Sequence, residues 1–227
     1  MSSLKKKWNI FLFRNSDKGI PNLSKSIVIS MATLFVAHWA LTMLGRPGFL
    51  SYLNFDRDLI FSGQVWRLIT FIFIPPNLSF IFIIFALYLF WYMGSSLEAF
   101  WGVLKFNLFY FCGVIFTIIG GMILGSTVNE YLNFSILLAF AIINPNFEIM
   151  LFFFIRVKMK YIAIINLILY AVMLVIVPLA EKTAIIISFV NILLFFGPTM
   201  YRGIRNFIER KIHKRKWQRK MRDIKWK

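Results

Sequence analysis

Charge is scarce in this chain. Only 15% of its 227 residues are charged, and only nine of them are acidic. Each shortage closes off a chemistry. There is one cysteine, Cys112, inside an apolar run, so no disulfide framework exists. The two histidines, His38 and His213, stand far apart and no HExxH is present, which is too little for a zinc site. An intramembrane aspartyl site needs two carboxylates at depth, whereas Asp56 and Asp58 sit together in a loop. A serine–lysine dyad needs a buried lysine, whereas Lys160 and Lys182 fall at the ends of apolar runs. No cofactor is implied.

Apolar residues fill the space that charge leaves. They make up 59% of the chain, with 27 phenylalanines, well beyond a soluble domain's usage. Runs of roughly 20 residues recur, the length that crosses a bilayer's hydrocarbon core. They are continuously apolar rather than alternating, which excludes a β-barrel. The expected fold class is therefore an all-α polytopic membrane protein. No cleavable leader is expected, because the basic start is followed only by the short apolar run Ile10–Phe13. Heavy use of Ile, Phe, Asn and Lys points to an AT-rich, bacterial genome.

Six spans fit: 27–44, 78–97, 103–124, one beginning near Tyr131, 161–179 and 183–201, with a long first loop over 45–77. This divides the chain into a basic N-terminal segment (1–26), a membrane domain (27–201) and a basic tail (202–227). With both termini on the inner side, 22 of the 26 Lys and Arg lie inside, and only Arg46, Arg57, Arg67 and Lys182 lie outside. That is the positive-inside bias, and five or seven spans would spoil it. The net charge of +17 thus reports topology, and no nucleic-acid partner is expected. The expected location is a bacterial plasma membrane with cytosolic termini.

The fourth span is short. Tyr131 to Asn144 reaches about 21 Å at the helical rise, against about 30 Å of hydrocarbon. Pro145 then interrupts. Either one kinked helix continues to Ile155, or a short helix starts below the surface with its entry loop buried in protein. The second reading is preferred, because it keeps Glu148 near the interface, whereas the first would leave a carboxylate deep and unpaired.

Two linked signatures stand out. Residues 63–68 read GQVWRL, with Thr70 two further on. Trp66 suits a membrane interface, and the Arg67 fork can hydrogen-bond several loop carbonyls. Residues 94–102 read GSSLEAFWG, which puts Gly94, Glu98 and roughly Gly102 on one helix face, where glycine permits close helix approach. Together these residues resemble the rhomboid family of intramembrane serine proteases and their inactive relatives. The resemblance covers about residues 27–201 and includes the six spans, the inner termini, the long first loop and the short fourth helix. It implies a rhomboid-like bundle in which the Trp66–Arg67 region braces the first loop.

The family's chemistry does not follow its fold signature. The resemblance places a nucleophilic serine in Gly-x-Ser-Gly at the start of the fourth helix, and the matching tetrad here is Asn133-Phe134-Ser135-Ile136, without either glycine. The sixth-helix base falls in a stretch that holds Ser188 and Asn191 and no histidine. The oxyanion pair of the second helix falls at Phe82 and Ala86, and neither side chain donates a hydrogen bond. Ser135 and His38 remain weak catalytic candidates, with packing as the competing role for both. The resemblance implies a pseudoprotease that binds transmembrane clients or lipids through lateral gaps or local bilayer thinning. The alternatives are an active intramembrane serine protease with a degenerate site, Ser135 as nucleophile, and a small-solute transporter or channel. The last is disfavoured by few polar residues in the spans and no inverted repeat.

The tail carries 12 of the Lys and Arg, and its apolar residues recur at near-helical spacing. It is expected to lie as an amphipathic helix on the anionic inner leaflet. Gly121 and Gly125 form a Gly-x3-Gly step, read as packing within the chain.

Overall fold

The computed structural model describes residues 14–76, 79–151 and 155–176, with isolated positions before residue 14 and after residue 189. The chain is mostly helical, and four helices are long and apolar enough to cross a membrane. These are α1 (Leu23–Met43), α4 (Phe80–Trp101), α5 (Val103–Leu124) and α7 (Met159–Ile176). Between α1 and α4 run two short helices, α2 (Arg57–Phe61) and α3 (Arg67–Thr70). A shorter apolar helix, α6 (Glu130–Ile143), precedes α7. The sixth expected span and the tail lie outside the described residues, apart from helical positions that include Asn191, 193–195 and Trp217.

Local chemistry sets the boundaries. The carboxylate of Asp56 caps α2 by accepting from the N–H groups of Asp58 and Leu59. Gly102 (φ 83°) separates α4 from α5, and Gly125 (φ 95°) ends α5; both hold a left-handed backbone that a side chain would strain. Helix α5 accordingly spans the expected residues without a shift. Helix α4 runs four residues past the expected Leu97, because nothing before Gly102 breaks it.

The fourth helix, α6, is the short one preferred from the sequence, and the connection that follows it to α7 takes a form not expected. Helix α6 ends at Ile143, so no kinked helix passes Pro145. The apolar stretch beyond it forms an antiparallel β-hairpin, β3 (Glu148–Leu151) with β4 (Ile155–Lys158). Glu148 pairs across the strands with Lys158 at 3.9 Å, so its carboxylate has a cation beside it at a half-exposed site. A run of Ile, Met, Leu and Phe suits a pleated strand as well as a helix, and Pro145 removes the helical option at its start.

A second clip ties the first loop to the α5–α6 corner. Strand β1 (Phe55–Asp56) pairs antiparallel with β2 (Ser126–Thr127), and the Arg57 N–H donates to Gly125 O at 2.8 Å. Gly121 makes room for this: a Cβ there would meet the Phe55 ring at 2.5 Å and Thr127 at 2.8 Å. The Gly-x3-Gly step thus serves packing within the chain. Buried Phe55 and Phe71 meet edge to face beneath the loop, at 5.6 Å between centroids.

Candidate functional site

The signature residues of the first loop form one brace. Arg67 is buried, 4% exposed, and its guanidinium donates to Gln64 Oε1 (2.8 Å), Ser51 O (2.9 Å) and Asn54 O (2.7 Å). Thr70 Oγ1 donates to Leu53 O at 3.0 Å, and the half-exposed Trp66 Nε1 donates to Tyr52 O at 3.3 Å. Four carbonyls from 51–54 are thereby held by three side chains one helical turn apart. From the far side, Asn129 is buried and its amide donates to Ile72 O (3.1 Å) and Ile74 O (2.8 Å).

The Gly-x3-Glu-x3-Gly residues gather the chain at the other end of the bundle. Gly94 faces the side chain of buried Ser24, where α1 and α4 pack together. Glu98 Oε1 accepts from the Asn22 N–H at 2.8 Å, just before α1 begins. Asn22 has φ 55°, a left-handed conformation that asparagine tolerates. Gly102 has Ser16 against it, and Ser16 O accepts from the Leu104 N–H. Asn107 Nδ2 donates to Ile20 O at 3.1 Å. Residues 16–22 therefore strap across the α4–α5 turn, which the sequence signature does not foretell.

Ser135 is buried on α6, and its Oγ donates to Leu132 O one turn back at 2.7 Å. Asn191 is also buried, and its Nδ2 donates to Phe109 O at 3.3 Å while its Oδ1 has no hydrogen-bond partner. The two residues converge on α5 indirectly. A Cβ on Gly113 would lie 2.6 Å from Leu132 Cδ1 and 2.8 Å from Asn191 Nδ2. No hydrogen bond joins Ser135 to Asn191. His38 belongs elsewhere: it packs against Gly48 and, edge to face, against Phe49 at 6.1 Å. A nucleophile whose proton goes to its own helix, with no imidazole beside it among the described residues, has no hydrogen-bonded base there to activate it. Among the described residues no group of three or more His, Cys, Asp or Glu could hold a metal.

A cleft of about 430 Å³ lies between α4, α6 and α7. One wall is α4 from Ala86 to Met93, the opposite wall is α6 from Glu130 to Leu137, and Asn166 and Tyr170 of α7 close the side. Ala86 lines it, while Phe82 is exposed one turn earlier on α4. The volume lies within the range of small-ligand sites. Phe134, which stands immediately before Ser135, stacks on Tyr170 with ring centroids 4.1 Å apart, joining α6 to α7. Asn166, Tyr170 and Asn129 escaped sequence reading. An asparagine or tyrosine in an apolar run was a visible signal, but only the fold shows which of them face the cleft.

No family model matches the chain, and no curated protein matches it.

Proposed function

We propose that this chain is a rhomboid-like membrane protein of six spans, with both termini cytosolic in a bacterial plasma membrane, that binds transmembrane clients or lipids in the α4–α6–α7 cleft without cleaving them. The observation that carries this reading is Ser135 itself. It stands where the family resemblance puts a nucleophile, next in sequence to the cleft-lining Phe134, yet its hydroxyl is spent on Leu132 O. The braced first loop and the Gly94–Glu98–Gly102 face support the resemblance, since each residue that carries it makes a structural contact. The apolar lining suits an occupant that arrives from within the bilayer.

The decisive experiment has two arms on purified protein in liposomes. In the first, a panel of transmembrane substrates is incubated with the chain, and no cleavage is expected; cleavage abolished by Ser135→Ala, with fluorophosphonate labelling of Ser135, would reverse the reading to a protease. In the second, a photo-crosslinking residue replaces Leu89 on the cleft wall. Recovery of a bound transmembrane segment or lipid at that position is the expected result.

A further inference from the structure

The cleft has an asymmetric polarity that says what it would hold. Glu130 lines it as the first residue of α6, at the end of the bundle where Asn129 grips the first loop. Its carboxylate is exposed and makes no ion pair or hydrogen bond among the described residues. Two first-loop arginines have their own partners: Arg67 holds Gln64 and two carbonyls, and Arg57 pairs with Asp58. Asn133, one turn further along α6, lies on the same face as Glu130 and lines the same cleft, and its buried Oδ1 has no hydrogen-bond partner among the described residues. Asn166 donates one Nδ2 hydrogen to Ile162 O, which leaves its Oδ1 as an acceptor beside the remaining N–H. Among the described residues the mouth therefore carries one unpaired negative charge, with amide acceptors behind it. The rest of the wall (Leu87, Phe90, Leu137 and Met93 among it) is apolar. It extends over seven residues of α4, about 10 Å of depth from the mouth.

We infer that this cleft binds a lipid whose headgroup is a primary ammonium, drawn from the leaflet on the first-loop side. The ammonium sits against the Glu130 carboxylate and the start of an acyl chain lies along α4 and α6. A primary ammonium brings three N–H donors and a positive charge, which matches the mouth in both respects. A phosphatidylglycerol-type lipid brings no cation and would leave Glu130 repelled by the phosphate. A carboxylate at a membrane interface gains from a paired cation. A transmembrane client would not need Glu130, because a helix presents its apolar flank rather than a charge at this depth.

This inference rests on the ligand-binding reading of the cleft, and one experiment separates the two. The full chain, with a benzoylphenylalanine at Leu89, is reconstituted in nanodiscs of equal phosphatidylethanolamine and phosphatidylglycerol together with a model transmembrane peptide. The products crosslinked at Leu89 are quantified. The expected result is phosphatidylethanolamine over phosphatidylglycerol by about fivefold, the scale of one partly exposed ion pair. Glu130→Gln should abolish the preference, and Glu130→Lys should reverse it. Unchanged thermal midpoints of both variants establish that they fold. Equal crosslinking of the two lipids by the parent chain, or a preference that survives Glu130→Gln, overturns the ammonium site. Crosslinking of the peptide with exclusion of lipid also overturns it, while leaving the broader cleft reading standing. Crosslinking of neither overturns both.

Discussion

Arg67 shows what a single side chain does here. A buried guanidinium is tolerable only when its donors are spent, and these hold Gln64, Ser51 O and Asn54 O. Arg67→Ala strands two carbonyls and leaves a void under the loop. It should lower stability by about 3 kcal/mol, measured by unfolding in mixed micelles. Arg67→Lys should recover little of this, because a lysine lacks the planar fork. Ser135 makes the opposite case. Its bond to Leu132 O is a local alternative to nothing else, so Ser135→Ala should change stability by less than about 1 kcal/mol and leave crosslinking at Leu89 as it was. A larger loss of binding would place the hydroxyl in the ligand site.

At the scale of elements, two glycines in one motif do separate jobs. Gly121 needs room: Gly121→Ala drives a methyl into the Phe55 ring and Thr127 and should cost about 2 kcal/mol by overpacking. Gly125 has open space around it but a φ of 95°, so Gly125→Ala should cost about 1 kcal/mol through backbone strain alone. Comparing both variants by thermal melting, with Gly125→Asn as a partial rescue, tests the distinction. The same two residues explain what could be read in advance. The ends of α5 were legible because Gly102 and Gly125 punctuate an otherwise unbroken apolar run. The β3–β4 hairpin was not. Glu148 to Lys158 has no polar alternation, so its strand period is hidden, and the only hint was a pair of opposite charges that meet across the strands.

At the scale of the whole chain, the long apolar helices were the most legible property, because they follow from run length rather than from any single side chain. The cleft was the least legible. Its walls come from three separate helices, and Ala86, Asn133 and Tyr170 have nothing in common until α4, α6 and α7 are assembled. The proposed six-span topology makes its own prediction. Reporter fusions at residue 227 should read cytosolic and insertions after Gly63 should read exoplasmic, in line with the charge bias. An exoplasmic C-terminus would remove one span or add one. The clip between the first loop and the α5–α6 corner has a consequence for exchange kinetics. Strands β1 and β2, the Arg57 bond to Gly125 and the two Asn129 bonds each fail if the others do. Amide protons in 55–59 and 126–133 should therefore open together, with one shared free energy, rather than as a frayed loop beside a stable helix.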